Sequence, residues 1–598
     1  MALNTDNSND IAVVGSPSSN TELTLDVLQD ATYERVVGSL LAMESTQDGH
    51  ALTIIGQVTS IELSNKWHED SVFRNLLKRT GEIPPITNKQ DTRTAKFAVG
   101  ATFQQGQQGW EPGVLGMVPS TGARVRRVTQ PLLSDLLRLY ENELFYVGRA
   151  YGNDVMYPMW FKHFGSGDQG VGEAYHLGIF GRTGSGKSGL AKMMLLAYAR
   201  HPQLGILVID PQGEFAVEMG GTSVGKQELP LRATLDALGR PVQTFAISQL
   251  QLTGWELFEE ILLHLRFFER VGIPTASEDN SRKASEVVRR TLEAKKIKLT
   301  DADVDETLKL ALDALSVKQQ AQEVYATASR ADQLITYVAN MRANAEQFAD
   351  TRKRWDRILQ LFRFAPGKRQ IFGIVQDLLG SSGETGAARP IVVIDLSESG
   401  NREVWFEDLE RRILIDLLRA VIASSAGNLR TGQSANVLVV LDEAHRHAPS
   451  TKGLEGYPAQ LQSLLRRATR ETRKYGIGWM FISQTLGGLD PEILNQMRIQ
   501  FFGFGLGLGE ELRKLKEFAG GDDRSMDLYS SFRDPQAFPS KALMEFPFMA
   551  VGPISPLSFA GKPVFFTAFT DAQKYLTSNK FPRSGGGQTQ TAAPRPRR

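Results

Sequence analysis

The chain has no cysteine. That excludes disulfides, thiolate zinc sites and thiol nucleophiles, and it is compatible with a reducing compartment; a cytoplasmic location is expected. Long apolar runs are missing as well. Stretches such as IVVI (391–394) and VLVVL (437–441) have the length of strands, far short of the roughly 18 residues that a spanning helix needs, so no membrane association is expected. The opening residues, MALNTDNSND, hold no basic stretch leading into an apolar one, and no signal peptide is expected. Net charge is nearly absent too: 68 Lys and Arg against 67 Asp and Glu give +1. No global field pulls such a chain onto a polyanion, so any nucleic-acid contact must come from a local basic surface.

What is present is ordinary for a globular protein, with 41% hydrophobic and 23% charged residues. At 598 residues the chain is too long for one core and predicts several structural units. Residues 1–10 are polar and read as a disordered start. Over 11–130, short β-type segments such as ALTIIGQVTSIEL (51–63) and KFAVGATF (96–103) recur between Gly, Ser and Asn, which predicts a small β-barrel. A helix is expected over 132–144. From 131 to 250 the order is strand, helix, strand, the mark of a parallel doubly wound sheet. Residues 251–385 are helical in pattern and rich in charge, which predicts a helical insertion with solvated outer faces. Strand and helix alternate again over 386–572, and 573–598 reads as a disordered basic tail. The fold class expected is therefore α/β: a P-loop NTPase core, RecA-like with a mostly parallel sheet, carrying an N-terminal small β-barrel and an inserted helical subdomain.

GRTGSGKS (181–188) satisfies G-x-x-x-x-G-K-[ST] and stands between an apolar strand and a helix, the setting the motif requires. Gly181, Gly184 and Gly186 let the backbone bring N–H groups to phosphate oxygens, and the helix N-terminus adds a favourable field. Thr183, Ser185 and Gly189 complete the expected nucleotide contacts. Lys187 is expected on the β- and γ-phosphates of ATP, and Ser188 on Mg²⁺. The second carboxylate such a site needs has two candidates, each ending a strand: Asp210 in ILVIDPQGEF and Asp442 in VLVVLDEAH. The Asp442–Glu443 pair is the better one, with Asp442 toward the metal and Glu443 as general base on the attacking water. Asp210 and Glu214 are expected to frame the nucleotide pocket.

In QLQSLLRRATRETRKYG (460–476), Leu461, Leu464, Leu465 and Ala468 form a buried stripe, and Arg466, Arg470, Arg473 and Lys474 lie outside it. Such a helix is either a solvated basic face or the carrier of an arginine that reaches a neighbouring subunit's γ-phosphate. Gln484 ends the next strand, where an amide can sense the γ-phosphate or position water. His445 and His447 admit a metal reading only weakly, since no third ligand is near in sequence. The letters DEAH (442–445) also suggest a two-domain helicase, but the chain shows a single P-loop core.

GRTGSGKS, ILVIDPQGEF, VLVVLDEAHRHAP, RETRKYGIGWMFISQ and DPEILNQMRIQFF, in this order, resemble HerA, the hexameric DNA-translocating ATPases of the HerA–FtsK superfamily. The β-rich start resembles the small barrel that HerA shares with ATP-synthase subunits. The resemblance implies Lys187 as P-loop lysine, Ser188 as Mg²⁺ ligand, Asp442 as Walker B acid, Glu443 as catalytic glutamate, Arg473 as a finger acting across the subunit interface and Gln484 as sensor. It implies a homohexamer with duplex DNA in its central pore. It also implies a separate effector, a nuclease or a sirtuin-type NAD-consuming enzyme, in antiphage defence or DNA end processing. The family commonly has Gly before the arginine, where this chain has Thr472. The rival expectation is a ring scaffold that assembles and activates an effector under ATP control, with little translocation of its own.

Overall fold

A computed structural model describes residues 10–83, 87–167, 170–221, 229–274, 276–380, 387–402, 405–558 and 561–582. Most of both expected disordered ends, residues 1–9 and 583–598, lies outside the described residues.

The N-terminal strands are β1 (Asp10–Val14), β2 (Glu22–Val27), β3 (Leu40–Gln47), β4 (His50–Ser64), β5 (Thr92–Gly106), β6 (Gly109–Gly113) and β7 (Arg124–Arg127). Six of them run in the order β2-β1-β7-β3-β4-β5 and close through a β2–β5 pairing, with β6 appended to β5. Closure follows from the period-two pattern. In β5, Ala95, Phe97 and Val99 turn inward, where they meet Leu23, Leu25, Ile54 and Val125 from other strands, and past a register shift Ala101 packs into a second core with Leu40 and Ile55.

The rest of the chain adds β8 (Leu144–Ala150), β9 (Met156–Trp160), β10 (His176–Phe180), β11 (Gly205–Asp210), β12 (Val242–Ala246), β13 (Leu250–Gln251), β14 (Arg369–Gln370), β15 (Ile391–Asp395), β16 (Val437–Leu441), β17 (Ile477–Ser483), β18 (Ile499–Gly503), β19 (Phe546–Val551) and β20 (Val564–Ala568). Eleven of these make one sheet in the order β12-β15-β11-β16-β17-β10-β18-β19-β20-β8-β9. The pairings from β12 to β18 are parallel and those from β18 to β9 antiparallel. The central strands are buried on both faces, which is why they read as unbroken apolar runs. Leu207 and Ile209 pack into one core, and Ile206 and Val208 into another on the opposite face.

Between β13 and β14 the described residues form helices, among them Trp255–His264, Glu278–Ala294, Val304–Ser316 and Ala345–Phe362. Their shared core centres on Trp355, fully buried against Phe258 and Phe267, its indole N–H donating to Thr307 Oγ1 at 2.9 Å. Their outer faces carry ion pairs such as Arg342–Asp313 at 2.8 Å, exposed enough to add little stability.

Three local expectations differ. The helix expected over 132–144 stops at Leu136, because Leu144 already pairs with Trp160 in the sheet. Strand β12 was not evident, since its residues are only half-buried and lack an apolar run. The expected tail begins inside a helix, Ala572–Ser578, whose Tyr575 is buried and donates to the Met193 carbonyl oxygen at 2.7 Å.

Candidate active site

Because β10, β11, β15, β16 and β17 are parallel, their carboxyl ends share one edge, and the loops leaving that edge converge. Strand β10 runs straight into the loop 181–186, and the helix Lys187–Ala199 follows. Gly184 and Gly186 hold φ of 82° and 89°, and a side chain at Gly186 would meet the Phe546 ring at 2.7 Å. Both positions therefore require glycine. Lys187 is buried at the helix start and donates to the Arg182 carbonyl oxygen at 3.0 Å. Burial lowers its pKa, against the opposing charges of Glu443, Asp442 and Glu214. Ser188 is half-buried in the first turn and Thr183 is exposed. Ser185 is buried against Gly181 and Gly503, while Gly189 has open space around it.

Strand β16 delivers Asp442 and Glu443, only 5% and 7% exposed. Glu443 sits at φ 47°, a left-handed conformation rare for a non-glycine residue, and this swings the chain off the strand into the short helix Ala444–His447. Its Oε1 accepts from Gln484 Nε2 at 2.8 Å and from Gln212 Nε2 at 2.9 Å. Gln484 Oε1 in turn accepts from Thr183 Oγ1 at 3.1 Å. One hydrogen-bonded chain thus ties the glycine-rich loop, the loop after β11 and the ends of β16 and β17. Asp442 is pushed up to about 7, first by burial and then by the charge of Glu443. Two carboxylates so placed favour a cation, and the Asp442 carboxylate with the Ser188 hydroxyl supplies the hard oxygen donors Mg²⁺ prefers.

At the end of β11 and in the loop after it, Asp210 and Glu214 lie close enough to Asp442 to act on its charge, and their own oxygens are engaged locally. Both Asp210 oxygens are taken by backbone, accepting from the N–H groups of Gly213 and Ala216 at 2.8 Å each, and burial pushes its pKa up to about 6. Glu214 turns to Lys192 on the glycine-loop helix, which also donates to Glu218 at 2.7 Å. The residue of this loop that touches Glu443 is Gln212. Its only sequence signal was its place two residues after a strand-end aspartate.

Arg473 lies in the turn Thr472–Tyr475, before the amino end of β17, whereas Gln484 follows the carboxyl end. Seven strand residues separate them, roughly 20 Å at about 3.3 Å per residue. The sheet therefore does not bring Arg473 to its own chain's site; it is exposed and pairs with Glu173 at 3.1 Å. Thr472 is buried beneath it, donating to the Ala468 carbonyl oxygen at 2.7 Å and accepting from the Trp479 indole at 3.0 Å. A side chain anchoring the turn thus stands where the family commonly has Gly. Arg466 and Arg470 are not a bare basic face: they pair with Asp490 at 2.5 Å and with Glu492 at 3.3 Å.

His445 and His447 fall on a helical turn, so their rings diverge. His445 approaches Glu443 at 3.4 Å and Ser483 at 3.3 Å. His447 is buried 3.6 Å from Glu410, and burial lowers the imidazole to about 3 and raises Glu410 to about 7. Among the described residues no group of three His, Asp or Glu side chains is placed to hold a metal, and no helix is long and apolar enough to cross a membrane.

Comparison with solved structures finds VirB4 of Thermoanaerobacter pseudethanolicus, 16% identical, with a TM-score of 0.32 over 71% of this chain and 96% of that one. The genome packaging NTPase B204 of Sulfolobus turreted icosahedral virus 2, in complex with AMPPCP, is 9% identical, with a TM-score of 0.27 over 66% and 98%. The bacterial conjugative coupling protein TrwB is 11% identical, with a TM-score of 0.31 over 67% and 87%. No curated protein matches the chain. The family described as the central domain of helicase HerA matches residues 174–404, a span that holds the glycine-rich loop and the Asp210 loop and ends before Asp442. That match spans less than half of the chain, and over it the chain is similar to the central domain of helicase HerA.

Proposed function

We propose that this protein is an ATPase that translocates DNA as a homohexameric ring. The observation that carries the reading is the chain Thr183–Gln484–Glu443–Gln212, which links the phosphate-binding loop to a buried carboxylate beside Lys187. Glu443 takes the proton of the attacking water, held in orientation by the two amides. Lys187 and the loop amides bind the transferring phosphoryl group, and Gln484 reports its presence to Thr183. Mg²⁺ held by Ser188 and Asp442 supplies charge neutralisation on the phosphates. Arg473, remote from its own site, serves the next subunit's. The nucleotide contacts of Gly181, Gly184, Ser185, Gly186 and Gly189 are through backbone, and Asp210 and Glu214 shape the loop that carries Gln212. Duplex DNA passes through the pore, gripped by its backbone. A separate effector, a nuclease or an NAD-consuming enzyme, acts with the ring in antiphage defence or end processing.

The test is ATP turnover with and without duplex DNA. Wild type is expected to be stimulated, and Glu443→Gln to lose at least 100-fold while still assembling. Near-normal hydrolysis by Glu443→Gln removes the catalytic assignment; an effector that works fully with that ring favours the scaffold over the motor. Mixing Arg473→Ala with Lys187→Ala subunits is expected to restore part of the turnover that each lacks. No recovery at any ratio rules out action in trans.

A further inference from the structure

Farther along the same carboxyl edge of the sheet, a recess of about 390 Å³ lies between the helix Ala345–Phe362 and the loop that follows β15. Its lining includes Arg354, Arg357, Lys368 and Arg402, and no acidic residue among the described residues. In a chain of net charge +1, four cations facing one cavity without a carboxylate is a marked local imbalance. A larger neighbouring cavity of about 590 Å³ shows the contrast, because there Glu260, Glu269 and Asp408 offset Arg266 and Arg282. Arg357 and Arg402 are exposed and have no ion-pair partner among the described residues. Burial lowers the pKa of Lys368. Ser248 and Asn401 add polar groups to the wall.

We infer that this recess binds a small phosphate-bearing molecule and that its occupancy alters turnover at the nucleotide site. Guanidinium groups present paired donors matched to phosphate oxygens. A cavity of this size takes a ligand of nucleotide dimensions and is too narrow for a duplex. The route to the catalytic loop runs through hydrogen bonds of the Asn401 side-chain amide to backbone groups. Asn401 donates to the carbonyl oxygens of Asp395 at 3.0 Å and Ser397 at 2.8 Å, and accepts from Ile247 N–H at 2.8 Å, which clamps together the exits of β12 and β15. Asp395 stands in register beside Asp210, and Gln212, two residues on, holds Glu443. A ligand that draws Arg402 and Asn401 toward the helix Ala345–Phe362 therefore pulls on the strand next to the catalytic loop.

The binding half stands independently of the ATPase reading, and the turnover half rests on it. Binding is measured by calorimetric titration of inorganic pyrophosphate into the full-length Lys187→Ala protein without Mg²⁺, so that the phosphate-binding loop does not compete. One site per chain is expected, weakened at least tenfold when Arg357→Ala and Arg402→Ala are added, with partial return for Arg357→Lys. Equal affinity with and without those two substitutions overturns the site. So does a result in which pyrophosphate fails to bind while the two substitutions weaken duplex DNA, which makes the surface a backbone contact. In the otherwise wild-type chain, pyrophosphate at fixed free Mg²⁺ is expected to change turnover at least twofold, and the Arg357→Ala, Arg402→Ala chain to be unresponsive with normal basal turnover. Binding without any change in turnover overturns the regulatory half alone.

Discussion

Strands β11 and β16 are neighbours, both buried and apolar, and each is followed by or ends in an aspartate, yet the two carboxylates are used differently. Asp210 gives both oxygens to backbone N–H groups and folds the loop after it into the start of the helix Glu214–Met219. Asp442 accepts one backbone N–H, from Glu443 at 2.9 Å, and faces a second carboxylate. Burial raises the pKa of both, and that of Asp442 rises further because Glu443 repels it. Both stand beside a like charge, Asp395 for Asp210 and Glu443 for Asp442, so the difference lies in how many backbone amides each carboxylate accepts.

Substituting each aspartate by asparagine breaks the comparison most directly. Asp442→Asn is expected to lower ATP turnover by two orders of magnitude or more with the melting temperature nearly unchanged. Asp210→Asn is expected to cost about 1.5–3 kcal/mol of stability, the scale of hydrogen bonds to a charged group, with turnover largely kept in the folded fraction. Equal losses of turnover with unchanged melting in both variants end the distinction. The two amides on Glu443 sharpen it further. Gln484→Ala removes the link to Thr183 as well as a donor and is expected to reduce turnover about 10- to 100-fold, while Gln212→Ala removes one donor and loses about tenfold. If Gln212→Ala is silent, the loop after β11 has no part in catalysis.

The glycine-rich loop was legible because its chemistry is local. Positive φ, the helix start and Lys187 all fall within eight consecutive residues. The Asp442–Glu443 pair was legible for a similar reason, since an apolar run ending in two acids announces a strand end. The barrel was readable through period-two burial, as in β5. Less was readable where neighbours decide. Strand β12 lies at the sheet edge, half-buried, with no run to mark it. Gln212 reaches Glu443 across 231 positions of chain, and nothing local distinguishes it from any loop glutamine. The stripe of arginines on the helix Gly456–Glu471 looked free in sequence, whereas Asp490 and Glu492 neutralise two of them.

By itself the sequence determined which segments are strands with both faces covered, where the glycine-rich loop turns into a helix and which acids end those strands, because periodicity, glycine spacing and apolar run length are properties of neighbours in the chain. Only the tertiary structure decided which aspartate is saturated by amides, which glutamine meets Glu443, that Arg473 stands at the far end of β17 from its own site, and that four cations share one recess. Those are matters of loop conformation, strand order and register, and a contact such as that of Gln212 with Glu443, 231 positions apart, leaves no local trace.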